Sequence, residues 1–199
     1  MENKKLDNIF FIHINKCGGT SIKKIVNNHN HIIVLNNDDL INFSKTELWK
    51  KINKVTIVRN PYDRLLSLYH MLLRDGLKIS ISDILDIITD ENIKYRINQG
   101  GLQKGTPQYI KRHGLPMTHK HYSIFNTITN EIEVTKIFKF ENIINKFDKF
   151  KDYMLIEENL PHLNKSNNKN NKKLFTDNEI ERINNYFHLD FINFNYYKL

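Results

Sequence analysis

A single cysteine, Cys17, stands in a chain of 199 residues. One thiol excludes an intramolecular disulfide framework and fits a reducing compartment. No apolar run approaches the ~20 residues that a membrane-spanning helix needs. Glu2 and Asp7 interrupt the beginning of the chain, so no basic-then-apolar signal segment is read there. The expectation is a soluble, cytoplasmic protein. Metal-ligand spacings such as H-E-x-x-H or paired C-x-x-C are missing, which predicts metal independence. Internal repeats and linker-like stretches are missing too, as is any helix-turn-helix or zinc module. Glycines number seven and prolines four. Gly100, Gly101, Gly105, Pro107, Gly114 and Pro116 fall close together, so residues 98–118 are expected to form a long irregular loop. Such a loop beside a rigid scaffold is a candidate binding region.

What is present suits one modest core. Apolar residues make up 40% of the chain, enough for a single domain over residues 1–199. Lys and Arg number 30 against 22 Asp and Glu, a formal charge of +8. A basic surface attracts anions: nucleotides, acidic polysaccharides or nucleic acid. The excess is concentrated in Asn164-Lys165-Ser166-Asn167-Asn168-Lys169-Asn170-Asn171-Lys172-Lys173. Residues 164–173 are expected to be a mobile basic loop.

The run Phe10-Phe11-Ile12-His13-Ile14-Asn15-Lys16-Cys17-Gly18-Gly19-Thr20-Ser21 changes character midway. An apolar stretch gives way to Lys, two glycines and two hydroxyls, after which Ile22, Ile25 and Val26 recur at helical spacing. That pattern predicts strand, tight turn and helix start. Gly18 and Gly19 allow a sharp turn and a close backbone approach. The amides of a new helix suit an anion, Lys16 adds a mobile cation, and Thr20 and Ser21 add donors. The common nucleotide-triphosphate loop, G-x-x-x-x-G-K-[ST], is not matched, because here the Lys precedes the glycines.

A second run begins with the strand Lys54 to Val58, which ends on Arg59. Asn60-Pro61 opens a helix, Pro61 being suited to its first turn. Leu65, Leu66, Tyr69, Leu72 and Leu73 form its expected apolar face. Arg59 lies at the carboxyl end of the strand, where open α/β sheets bind ligands. Ser67 lies nearly two turns into the helix, and a guanidinium with a hydroxyl suits a phosphate.

Together these two runs resemble the sulfotransferase superfamily. Lys16-Cys17-Gly18-Gly19-Thr20-Ser21 is similar to its 5′-phosphosulfate loop. Val58-Arg59-Asn60-Pro61-Tyr62-Asp63-Arg64-Leu65-Leu66-Ser67-Leu68-Tyr69 is similar to its 3′-phosphate motif, with Arg59 and Ser67 at the family's separation. The nearest flavour is the carbohydrate branch of heparan sulfate 2-O- and chondroitin sulfotransferases. Ile137 to Ile143 resembles that family's late strand and acidic turn, Leu160-Pro161-His162-Leu163-Asn164-Lys165-Ser166 a loop over the donor, and Tyr186 to Tyr196 its terminal helix. Asn15 replaces a common Pro, and Cys17 stands where Thr or Ala is frequent. Neither change removes a phosphate-binding group. Golgi members of the family carry an amino-terminal anchor, and the lack of one adds to the expectation of solubility.

The resemblance implies an α/β, single-domain, three-layer P-loop-like fold with a mainly parallel sheet flanked by helices. It implies transfer of a sulfuryl group from 3′-phosphoadenosine 5′-phosphosulfate to an acceptor hydroxyl on a glycan, with no nucleic acid partner. Lys16, Cys17, Gly18, Gly19, Thr20, Ser21, Arg59 and Ser67 would bind the donor, with Lys165 and Ser166 as secondary contacts. Lys16 is also catalytic in this reading, stabilising the leaving 5′-phosphate. For the base, the branch places a His between the two motifs, which points to His31 with His29 close behind. His119 and His121 are rivals for the base or for acceptor binding, and Glu141 is a further possibility. Two alternatives stand beside this reading: a nucleotide kinase or NTPase with an atypical phosphate loop, and a non-enzymatic basic nucleic-acid-binding protein.

The remaining sequence reads as scaffold. His31 to Leu35 predicts a second strand, and Leu48, Trp49 and Ile52 a helical stretch. Ser82 is expected to cap a helix carrying Ile84, Leu85 and Ile88. Val134 to Phe140 predicts the last parallel strand, followed by a buried stripe of Ile143, Phe147, Phe150 and Met154. Thr176 with Glu179 has capping-box spacing before Ile180, Ile183 and Phe187.

Overall fold

The computed structural model describes residues 8–35, 43–94, 102–126, 128–143, 145–159 and 174–199. The chain divides into two compact units, each built from two stretches of sequence: residues 1–58 with 119–164, and residues 59–118 with 165–199.

The first unit carries a four-stranded parallel sheet. Its strands are β1 (Ile9–Ile12), β2 (Ile32–Leu35), β3 (Asn53–Val58) and, later in the chain, one spanning Lys136–Lys139. All four residues of β1 are buried, as are the last five of β3. Near-continuous apolar runs are what strands covered on both faces require. Helix α1 (Gly19–Val26) turns Ile22, Ile25 and Val26 into the core, and α2 (Glu47–Lys51) buries Trp49. The strand order is β2, β1, β3 and the Lys136–Lys139 strand, with Ile12 level with Thr56. A buried hydroxyl in this sheet, Thr56 Oγ1, donates to Ile12 O at 2.9 Å. Connections leave β1 and β3 towards opposite edges, the topological position at which open α/β sheets take ligands.

In the second unit, α3 (Pro61–Arg74) begins as expected, with Pro61 in its first turn and Asn60 Oδ1 accepting from Tyr62 N. Leu65, Leu66 and Leu72 are buried, whereas Leu73 is 41% exposed and lies off the apolar face expected for it. Helix α4 (Ile81–Thr89) is capped by Ser80 and not by Ser82. Ser80 and Asp83 form a complete capping box, while Ser82 Oγ accepts from Arg182 Nη1. Residues 107–114, expected to be irregular, form α5 (Pro107–Gly114), capped by Thr106. A Cβ on Gly114 would fall 2.4 Å from Ile88 Cγ2, so this glycine lets α5 lie close against α4.

Returning to the first unit, β4 (Phe125–Asn126) and β5 (Glu131–Ile132) form a small antiparallel hairpin, and β6 (Lys136–Lys139) is the sheet strand introduced above. The one-turn α6 (Phe140–Ile143) and α7 (Phe147–Met154) follow, and Ile143, Phe147, Phe150 and Met154 are all buried, as their spacing predicts. The second unit closes with α8 (Asp177–Tyr186), whose Thr176–Glu179 capping box forms, and α9 (His188–Asn193). Phe175, Ile183, Phe187 and Phe191 join Tyr62, Leu65 and Ile84 in its core. The observed architecture is α/β, with a parallel central sheet and flanking helices. Among the described residues no helix is long and apolar enough to cross a membrane.

Candidate functional site

Six residues connect β1 to α1, and they are tightly constrained. Lys16 takes a left-handed backbone, φ 66°, and Gly18 another, φ 79°. Non-glycine residues rarely accept that conformation, which costs about 1–2 kcal/mol. Cys17 is buried, and its N–H donates to Ile14 O at 3.4 Å to close the turn. A Cβ on Gly18 would lie 2.4 Å from Phe140 Cε2, and one on Gly19 would lie 1.9 Å from His13 Cδ2. The two glycines therefore fit a loop whose backbone runs directly against two rings. Helix α1 has no side-chain cap and no acidic residue in its first turn. Its leading amides retain their positive character, with the partly exposed Lys16 just before them. Ser21 is half-buried in the first turn, and Thr20 is the second residue of the helix.

Histidines gather near other parts of this unit. His31 Nε2 donates to Met154 O at 2.9 Å, which leaves Nδ1 as the accepting nitrogen of a neutral ring. His29 Nε2 lies 2.8 Å from both carboxylate oxygens of Glu158. The Glu158 carboxyl is held below its usual range by its own backbone N–H and then by the His29 ring. His119 caps the 3-10 turn Lys120–Tyr122, its Nδ1 accepting from His121 N at 3.1 Å. A neutral His119 therefore carries its proton on Nε2. His121 is buried, and Glu141 is exposed on α6.

In the second unit, Arg59 precedes the Asn60 cap of α3 and is half-buried, and its N–H donates to Met117 Sδ at 3.4 Å. Ser67 is half-buried on α3. Arg64, one turn into that helix, is 2% exposed and donates through Nη2 to His113 O at 3.2 Å. Deeper still is Asp190, fully buried on α9. Its carboxylate accepts from Met117 N at 2.7 Å and from Thr118 N and Thr118 Oγ1 at 2.8 Å each. Burial pushes this carboxyl up, opposed by the Arg64 guanidinium and by the three donors. Neither His13 nor Asp190 is conspicuous in sequence. A ring facing a glycine and an acid that satisfies distant amides leave no periodic signal. Lys165 and Ser166, with the basic run over 164–173, lie outside the described residues. No cluster of three or more His, Cys, Asp or Glu suited to a metal ion occurs among the described residues.

A family model described as the sulfotransferase family matches residues 3–197. No curated protein matches the chain. Among solved structures, the chain is similar to the crystal structure of a sulfotransferase from Alicyclobacillus acidocaldarius. The two share 14% identity over 92% of this chain and 96% of that one, with a TM-score of 0.47.

Proposed function

This chain belongs to the sulfotransferase family, and from that premise we propose that it moves a sulfuryl group from 3′-phosphoadenosine 5′-phosphosulfate to a hydroxyl of a carbohydrate acceptor. The observation that carries the donor assignment is the β1–α1 connection. An uncapped helix start, a left-handed Lys16 and two glycines without room for a side chain together favour an anionic group held by main-chain amides. In this reading Lys16 and the Cys17, Gly18, Gly19, Thr20 and Ser21 segment take the 5′-phosphosulfate end. Arg59 and Ser67 take the 3′-phosphate, a fork and a hydroxyl suited to its oxygens. Lys165 and Ser166 are secondary donor contacts.

The acceptor oxygen attacks sulfur as the sulfur–oxygen bond to the 5′-phosphate breaks, and adenosine 3′,5′-bisphosphate leaves. Charge grows on the bridging oxygen, where Lys16 and the loop amides stabilise it. The acceptor proton passes to a base. His31 suits that role through Nδ1, since Nε2 is committed to Met154 O. His119, with its proton on Nε2, suits donation to an acceptor oxygen. The sulfuryl group carries less charge than a terminal phosphoryl group, so the proposed transfer is metal-independent.

Labelled donor incubated with a panel of glycans and small alcohols, with chelator present, tests the activity. Sulfated product is the expected result. Magnesium-dependent ATP turnover without sulfation overturns it in favour of a nucleotide kinase or NTPase. The 3′-phosphate assignment has its own check by calorimetry. Arg59→Ala is expected to weaken adenosine 3′,5′-bisphosphate by about 1.5–3 kcal/mol, the worth of a charged hydrogen bond, and adenosine 5′-phosphate much less. Equal losses for both nucleotides remove Arg59 from that site.

A further inference from the structure

Asp190 is the most deeply committed acid of the second unit, yet it stands far in sequence from the phosphate motif. Its two oxygens take three hydrogen bonds, and all three come from Met117 and Thr118. These residues lie three and four positions beyond the end of α5, in a turn outside helix and strand. The carboxylate is thus what satisfies two consecutive buried N–H groups, which otherwise carry the full cost of desolvation. Arg64 works on the same stretch of chain, donating to His113 O and lying within electrostatic reach of Asp190. Once fixed, Met117 presents its thioether to the phosphate motif, where its sulfur accepts from the N–H of Arg59.

We propose that Asp190 is a positioning residue for Arg59, acting through Met117: the buried carboxylate sets the Met117 backbone, and the Met117 sulfur sets the main chain at which the Arg59 side chain departs. The inference rests on the assignment of Arg59 to the donor 3′-phosphate. Phosphate recognition by a guanidinium is directional, so a shifted Arg59 backbone loses selectivity for the 3′-phosphate before it loses nucleotide binding. The link from α9 to α3 thereby makes the carboxyl-terminal helix a part of donor selection, although α9 carries no residue assigned to the donor.

The test uses the full chain and calorimetry with adenosine 3′,5′-bisphosphate and adenosine 5′-phosphate. The affinity ratio of the two nucleotides is the readout, since loss of folded protein lowers both alike. Met117→Leu keeps the buried volume and removes the acceptor. It is expected to lower the ratio roughly three- to tenfold, the scale of one modest hydrogen bond. Asp190→Asn turns one acceptor into a donor facing N–H groups and is expected to lower it at least as much. Where that variant does not fold, Met117→Leu decides. In an Arg59→Ala background, Met117→Leu is expected to change the ratio no further. A wild-type ratio in Met117→Leu, with Arg59→Ala still losing selectivity, overturns the positioning role and leaves the donor assignment standing. An unchanged ratio in Arg59→Ala overturns both.

Discussion

Lys16 holds φ 66°, a conformation that costs a lysine about 1–2 kcal/mol and persists only where the surroundings impose it. Lys16→Ala keeps that backbone requirement and removes the ammonium with its stem. If Lys16 tightens on the leaving phosphate as charge develops, turnover falls much more than donor affinity. Loss of one such donor typically costs roughly 100- to 1000-fold. Lys16→Arg is expected to recover little, because a planar fork replaces a compact ammonium. Single-turnover rates at saturating donor are the measurement, and a near-native rate in Lys16→Ala removes the role. Lys54 is a different kind of cation. It is 4% exposed, its Nζ donates to Trp49 O and lies 4.7 Å from the Trp49 ring centroid. Burial lowers its pKa from the ordinary 10.5, with Glu133 opposing. The folded chain therefore releases this proton at lower pH than the unfolded chain does. Between the two values the unfolded state binds more protons, so stability rises as pH rises through that interval. Lys54→Met should flatten the rise in urea melts across the alkaline range. An identical slope in both proteins means that Lys54 is not its source.

At the scale of elements, the β1–α1 connection is governed by what its glycines face. Gly19 needs no unusual φ, so a side chain there is opposed first by the His13 ring, 1.9 Å from the position of its Cβ. Gly19→Ala is expected to destabilise by about 1–3 kcal/mol, as overpacking does. His13→Ala in the same chain should return most of it. A double variant no more stable than Gly19→Ala alone shows that the ring is not the obstacle. This connection was legible in the sequence because periodicity switches from strand to helix at the glycines themselves. The start of α3 was legible for a like reason: Asn60 and Pro61 are a cap and a first-turn residue in succession. Helix α5 was hidden by the density of Gly and Pro around it, although Thr106-Pro107 carries the same kind of start signal. Ser82 competes with Ser80 as a cap in the sequence, yet only Ser80 has an acid three residues on to complete the box. The β4–β5 hairpin is two residues a side, too short for alternation to register. Asp190 was beyond reach altogether, since the amides it satisfies are 72 and 73 residues away.

For the whole molecule, the sequence suggests one domain over residues 1–199, and the contacts group the chain into two compact units. Neither unit is a continuous stretch: the chain leaves the first after Val58, returns at His119 and leaves again after Asn164. A unit made of two distant segments has to close a long loop before its contacts form, and that loop is one segment of the other unit. Folding of each is thereby tied through the backbone to folding of the other. The proposed consequence is that the chain behaves as one cooperative domain. The probes exist within the sequence. Trp49, the only tryptophan, is 2% exposed in the first unit and reports its unfolding by fluorescence. Helices α3, α4, α5 and α8 lie in the second unit, so far-UV circular dichroism draws much of its signal there. Coincident urea midpoints from the two probes are expected. The Tyr62 hydroxyl, which donates to Asn184 Oδ1 at 2.5 Å and accepts from Leu199 N at 2.9 Å, offers a sharper version. Tyr62→Phe weakens only the second unit, so in a cooperative chain it shifts both midpoints equally. A fluorescence midpoint that stays in place while the dichroism midpoint falls establishes two independent domains instead.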